Sequence, residues 1–334
     1  MDLLPILERL EEAGFLHRTG DHWHWTEQAY PADAVSLRAV TSDNFVVVDT
    51  TNANEVIAEV DFASALTTVY PKAVYLHQGQ QYYVERLDFT ERRAYVKRVD
   101  LEYYTDAIRY TQVRVLEAAD TARLVRGEAL EDLSAARTHG DVLVRSQVVG
   151  FKKIKFFTNE NLGSGQLELP ENEMHTTAFW LTLERKLVES LPFSISERQN
   201  GMHGLLHALA SVATLLLMCD PRDLGTAIGE RPPSPGLDLG WEETPVEPAA
   251  SRGASTGEEP ELFEPNLYLY DAYPGGIGFS EPLYRAADQL LARTRELIAS
   301  CPCEKGCPSC VGPADAHGEH TKQVAIALLD RLGV

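Results

Sequence analysis

The 334-residue chain carries 50 acidic against 30 basic side chains, a formal charge of −20, with a pI near 4.9. That balance excludes a uniformly basic nucleic-acid coat, because each neutralised phosphate needs a Lys or Arg beside it, and it leaves only local basic patches open. A hydrophobic share of 44% with 24% charged residues excludes wholesale disorder, and the length predicts about two domains.

The first residues, MDLLPILERLEEAG, lack the basic-then-apolar order of a secretory signal. The most apolar run, Ala208 to Cys219, is about twelve residues, short of the ~18 of a bilayer span. A cytoplasmic protein without membrane contact is expected. Leu3, Leu4, Ile6, Leu7 and Leu10 fall at helical spacing before Gly14, predicting an amphipathic helix with a glycine end. FLHRTGDHWHWT then reads as a hairpin turning at Thr19-Gly20-Asp21. Helix followed by hairpin is how a winged-helix domain ends, so residues 1–30 are expected to form the tail of one.

Residues 31–125 are expected to form a small antiparallel β domain. SLRAV, NFVVVDTT, VIAEV, AVYLHQG, QYYVERLDF, RAYVKRV and IRYTQVRVLE are short β runs parted by turn residues. DVLVRSQVVGFKKIKFF, QLELP and HTTAFWLTLE continue in β style to about residue 183. Ser196 with Gln199 has the form of a capping box opening a long buried helix that ends before Asp220-Pro221. Residues 229–264 hold six prolines and nine acidic against two basic residues, a net of −7, the composition of a solvated loop. NLYLYDAYP then reads as a buried strand, PGGIG as a strand-to-helix turn, Ser280 as a helix cap and TKQVAIALLDRL as a final amphipathic helix. Residues 126–334 are thus expected to be a second, mixed α/β domain interrupted by the acidic loop, and the fold class is α+β.

Cys301, Cys303, Cys307 and Cys310 stand within ten residues between two predicted helices. Four thiolates on one loop suit a tetrahedral Zn²⁺, with Pro302, Gly306 and Pro308 allowing the turns. An iron–sulfur cluster or disulfides would use the same residues. A four-thiolate zinc has no open position, so its role would be structural. Cys219 reads as a buried small hydrophobe. His203 and His207 share a helix face, but the Glu of an H-E-x-x-H motif is missing, so they read as polar positions of a core helix. His175, His317 and His320 are scattered, the last two standing near the cysteine loop in sequence. The glycines after Asp271 place backbone N–H groups where an anion can bind, although close packing of the turn explains them as well. Neither a phosphate-binding G-x-x-x-x-G-K-[ST] loop nor a G-x-S-x-G elbow occurs, so no catalytic residue is assigned.

Two patches resist the acidic trend. Arg92, Arg93, Lys97 and Arg98 surround a hairpin, and Arg145, Lys152, Lys153 and Lys155 alternate with Phe151, Phe156 and Phe157. Basic residues alternating with aromatics suit backbone contact plus base stacking along single-stranded DNA, and they suit equally an ordinary strand with one core face. Arg145, Lys152, Lys153, Lys155, Phe156, Arg92, Arg93 and Lys97 are the candidate contacts.

HALASVATLLLMCDPRDLG, LYLYDAYPGGIGFSE and CPCEKGCPSCVGP together resemble the C-terminal zinc-binding domain of the mitomycin repair factor A (MrfA) family of DEAD/DEAH-box DNA helicases. ERLEEAGFLHRTGDHWHWT, SLRAVTSDNFVVVD and AVYLHQGQQYYVERLD resemble the region before that domain. The resemblance implies a zinc site at Cys301, Cys303, Cys307 and Cys310, and a DNA-repair helicase unwinding with 3′-to-5′ polarity. It also implies ATP and Mg²⁺ acting in motor domains that these residues do not contain. The expected function is a non-catalytic accessory module that guides single-stranded DNA or braces the motor domains. The rival expectation is a zinc-stabilised protein-interaction module recruiting a repair nuclease.

Overall fold

The computed structural model describes residues 3–26, 44–51, 54–124, 135–230, 265–313 and 318–334. The run SLRAV, His317 and all of the acidic loop except Gly229 and Glu230 lie outside them. Contacts divide the chain into two compact units, Met1–Asp106 with Lys152–Gly163, and Ala107–Phe151 with Ser164–Val334. The division falls inside three strands, at 106/107, 151/152 and 163/164, rather than between residues 125 and 126.

In the first unit, α1 (Leu4–Glu12) ends where Gly14 adopts a φ of +83°, and β1 (Leu16–Thr19) pairs antiparallel with β2 (His22–Trp25) through a turn at Gly20. Both are as expected from the pattern. The apolar residues of α1 are not buried. A five-stranded sheet follows, built from β3 (Asn44–Asp49), β4 (Glu55–Asp61), β5 (Val74–His77), β6 (Gln80–Asp88) and β7 (Arg93–Val99) in the order β4-β3-β7-β6-β5. The alternation of Phe45, Val47, Val84, Ala94 and Val96 fills its core. The sheet departs from the expected all-antiparallel pattern at one place, where β3 and β7 run parallel. Parallel strands need a long crossover, and the excursion through β4, β5, β6 and the helix α2 (Phe62–Thr68) supplies it. The sequence reading missed α2, which Asp61 starts by accepting the Ser64 N–H.

The second unit is built on a six-stranded sheet. Its path is β10 (Asn161–Gln166), β9 (Ala135–Lys155), β11 (Asn172–Leu183), β13 (Pro265–Asp271) and β12 (Leu224–Glu230), with β8 (Tyr103–Arg123) also pairing β9. Gly229 and Glu230 therefore belong to β12 and not to the acidic loop. Strand β13 is buried at every position, which requires apolar residues on both faces. Leu267 and Leu269 point into the helical core, and Tyr268 and Tyr270 pack with Trp180, Val142 and Val144 on the other face. Burial pushes the Tyr268 hydroxyl up to about 12.

The helical core gathers α3 (Arg185–Glu189), α4 (Ile195–Leu217), α5 (Ser280–Arg285), α6 (Ala287–Ser300) and α7 (Thr321–Arg331) over Phe179, Leu181 and Leu183. The helix α4 starts two residues earlier than expected. Ser194, not Ser196, accepts the Glu197 N–H and receives the Glu197 side chain in return, a complete capping box. It ends at Met218, in a left-handed conformation (φ +53°), two residues before Asp220-Pro221. Ser280 is the first helical residue of α5, and Phe279 holds the cap position. At 23 residues α4 exceeds the apolar run seen in sequence, and by length and composition it is the one described helix able to cross a bilayer. Here it is a core helix, with Leu205, Leu206, Leu209 and Val212 buried.

Candidate functional site

The segment joining α6 to α7 brings the sulfurs of Cys301, Cys303, Cys307 and Cys310 within 4.8 Å of one another. Adjacent pairs are 3.5 Å (Cys301 to Cys303 and Cys301 to Cys307), 3.4 Å (Cys303 to Cys310) and 3.6 Å (Cys307 to Cys310) apart. A tetrahedron with metal–sulfur bonds of about 2.3 Å has sulfur–sulfur edges of about 3.8 Å, so the four donors fit a thiolate-bound ion without rearrangement. Cys310 is buried and the other three are half-buried. The Ser309 N–H and neighbouring thiols hold the Cys307 thiol down at about 7, and burial pushes that of Cys310 up. Gly306 takes a φ of +138°, and a Cβ there would lie 2.8 Å from Val311 Cγ2 and 3.1 Å from the Gly312 carbonyl, which leaves glycine as the residue that fits.

Two side chains that the motif itself does not contain hold this loop. Lys322 Nζ, buried in the first turn of α7, donates to the carbonyls of Cys301 and Cys303, both at 2.6 Å, and lies 3.9 Å from Cys303 Sγ. His207 Nε2 on α4 donates to the Pro308 carbonyl at 2.9 Å. Of the scattered histidines, His320 pairs with Glu197. Cys219 is half-buried against the helical core, and burial raises its thiol pKa.

The glycine turn after β13 resolves in favour of packing. The Asp271 carboxylate is fully buried, and its Oδ2 accepts the N–H groups of Ile277 (2.6 Å), Gly278 (2.9 Å) and Phe279 (3.3 Å) and the Thr177 hydroxyl (3.2 Å). The chain's own anion thus fills the backbone cradle. Gly276 (φ +73°) lies so close to Thr177 that a Cβ would come within 2.6 Å of its hydroxyl.

The two basic patches separate by charge environment. Arg93 meets Glu91 at 3.4 Å, Lys97 meets Glu85 at 2.9 Å, and Arg145 meets Glu173 at 2.6 Å. The Glu85 carboxylate raises the Lys97 pKa. Arg92 lies over the rings of Phe45 and Phe62, at 5.3 and 4.8 Å. At the end of β9, by contrast, no carboxylate among the described residues pairs with Lys152, Lys153 or Lys155. Lys153 stands over the Tyr103 ring at 5.3 Å, and Phe156 packs on Tyr104 at 5.4 Å between ring centres.

Residues 205–311, which include the cysteine loop and the Asp271 turn, match the MrfA Zn-binding domain. The chain is 35% identical, over 99% of its length, to the uncharacterized ATP-dependent helicase YprA of Bacillus subtilis, of which it covers 39%. It is 24% identical to the ATP-dependent helicase HRQ1 of Saccharomyces cerevisiae over 89% of its length and 26% of that protein. A crystal structure of the DUF1998 helicase MrfA bound to DNA is similar over 99% of this chain and 39% of that one, with a TM-score of 0.56 and 34% identity. A second MrfA crystal structure gives a TM-score of 0.51 at 29% identity over 98% of this chain and 40% of that one. The chain therefore spans two-fifths or less of the length of these helicases.

Proposed function

Because the chain carries an MrfA Zn-binding domain and corresponds to the C-terminal region of an MrfA-type helicase, we propose that it is the zinc-stabilised accessory region of an ATP-dependent DNA-repair helicase and guides single-stranded DNA. Cys301, Cys303, Cys307 and Cys310 are the residues to hold the zinc. With four protein ligands it serves as a structural cross-link between α6 and α7. Lys322 and His207 fix the loop's carbonyls and so the direction in which the thiolates point. Unwinding with 3′-to-5′ polarity, ATP and Mg²⁺ belong in this reading to the part of the helicase outside the chain, which the accessory region braces.

The observation that carries DNA contact is the split among the basic candidates. A guanidinium or ammonium already paired with a carboxylate must give up that partner to meet a phosphate, and Lys152, Lys153 and Lys155 have no such partner among the described residues. Lys153 also stands over the Tyr103 ring, and Phe156, which follows Lys155 in sequence, packs on Tyr104, in keeping with a mixed phosphate and base surface.

The test is a fluorescence-anisotropy titration of the chain with labelled oligothymidine at two salt concentrations. Replacing Lys152, Lys153 and Lys155 by Ala should weaken binding and flatten its salt dependence, since ~0.7 counterions are released per phosphate neutralised on single strands. Wild-type affinity with an unchanged salt slope in the triple variant rules this surface out. Lys152 is exposed and Lys153 and Lys155 are half-buried, so the melting temperature of the triple variant is measured alongside, and Lys152→Ala alone should melt as the wild type does, since exposed side chains usually contribute within ~0.5 kcal/mol.

A further inference from the structure

The hairpin from β9 to β10 ends in a tight turn. Lys155 donates its N–H to the Glu160 carbonyl at 2.9 Å, Asn159 returns one to the Lys155 carbonyl at 3.1 Å, and the Phe156 N–H is held by Glu102 at 3.0 Å. At its tip Phe157 is fully exposed, at 103% of the reference area, and its φ is +66°. A single exposed apolar side chain is ordinary, and so, in a turn, is a left-handed residue. The combination is not. Left-handed backbone favours glycine and asparagine and disfavours bulky side chains, and of the non-glycine residues with positive φ among those described, Phe157 is the one aromatic. Strain of this kind persists only where the surrounding structure holds it, here the hydrogen bonds of the turn, and it clusters at active sites and ligand clamps.

We propose that Phe157 is a base-stacking residue, presenting its ring from the hairpin tip to an unpaired base of single-stranded DNA. This rests on the DNA-guiding reading and adds to it the group that distinguishes bases from backbone. The two ring faces are open, and Phe156, 6.3 Å away between ring centres, backs the tip and leans on Tyr104. Lys152, Lys153 and Lys155, which have no carboxylate partner among the described residues, precede the tip directly, so phosphates held there place the adjoining bases near it. One ring is far too small for a protein interface, which needs about 800 Å² on each side. It is the size of one base, and the surrounding charge is complementary to the phosphates on either side of that base. A stacked aromatic is tolerant of sequence, because every base has a π-face.

The experiment compares two labelled oligomers of equal length, one of thymidine and one of abasic deoxyribose phosphate, titrated against the full 334-residue chain at low salt. Phe157→Ala should bind oligothymidine about fivefold to a hundredfold more weakly and bind the abasic oligomer as the wild type does. Phe157→Trp should retain oligothymidine affinity, and Phe157→Leu, apolar but without a π-face, should not. Full exposure of Phe157 makes misfolding of these variants unexpected, and their melting temperatures check it. Equal affinities of Phe157→Ala and wild type for oligothymidine, or an equal loss on both oligomers, overturn the stacking role. The phosphate contacts then still stand if the triple lysine variant loses affinity for both oligomers. Failure of the wild-type chain to bind either oligomer overturns both proposals together.

Discussion

His207 and Pro308 lie 101 positions apart in the chain and are joined by a hydrogen bond from the imidazole Nε2 to the proline carbonyl, 2.9 Å long. The long core helix thereby reaches the cysteine loop directly, and Lys322 reaches it from the opposite end of the sequence. Partners of this kind fix a ligand loop in its metal-binding shape, and losing one typically costs 10–100-fold in metal affinity. Lys322→Met, which removes two donors but keeps the apolar stem, should lose zinc to a chelator at least about tenfold more readily than the wild type. His207→Ala should show a smaller effect, near the ~1 kcal/mol of one neutral hydrogen bond. Competition against a colorimetric chelator measures both, and equal affinities in all three proteins would show the loop to be shaped by its own backbone alone.

Freshly purified protein should contain one zinc per chain by elemental analysis. Cys307→Ser should lose it. Structural zinc contributes on the order of 10 kcal/mol to the folding of small metal-dependent elements. The variant should accordingly expose α6 and α7 to protease at temperatures where the wild type resists. Iron in the sample, or unchanged proteolysis in the variant, would contradict this.

The α4 helix approaches α7 over two glycines. A Cβ at Gly201 would meet Val324 Cγ1 at 2.2 Å, and one at Gly204 would meet the Thr321 methyl at 2.3 Å. Gly201→Ala should therefore destabilise the protein by about 1–3 kcal/mol, the usual cost of overpacking, despite alanine's better helix propensity. Urea unfolding measures the loss. Pairing the change with Val324→Ala should recover most of it, and a failure of that rescue would place the strain elsewhere.

Glu197 gives a pH dependence of definite sign. The Ser194 hydroxyl and N–H, with His320 beside them, hold its carboxyl down from 4.5 to about 2. A folded-state pKa below the unfolded one means that ionised Glu197 favours folding. This contribution is complete above about 4.5 and fades as pH falls toward 2. The advantage of wild type over Glu197→Gln in urea midpoint should be constant near neutrality and shrink in that acid window. Carbon-detected NMR titration of the Glu197 carboxyl checks the cause directly, and an ordinary titration near 4.5 would remove it.

The sequence was legible where a residue type alone dictates the chemistry. Four cysteines in ten residues have few uses, and the alternation along NFVVVD and RAYVKRV has one solution with a core on one side. It was less legible where the outcome depends on which distant groups meet. Ser194 and Ser196 both precede a glutamate or glutamine at the capping interval, and the choice falls to Ser194 because Ile195, as the first helical residue, packs on the helical core. The parallel pairing of β3 with β7 leaves no local trace. Neither does the role of Lys322, which in sequence is one more polar residue on an amphipathic helix. The basic patches looked alike as letters because the carboxylates that neutralise Arg145 and Lys97, Glu173 and Glu85, come from neighbouring strands.

Asp271 gives the turn after β13 a tethered counter-ion. A backbone cradle of this type can be filled by a free phosphate, and its order then tracks the concentration of that ion and competes with every other anion in the cell. With the carboxylate attached to the strand that leads into the turn, the local supply is constant and independent of nucleotide or nucleic acid nearby. Ile277, Gly278 and Phe279 are thereby withdrawn from phosphate chemistry, so the entry into α5 is shaped by the chain's own carboxylate and not by a soluble anion.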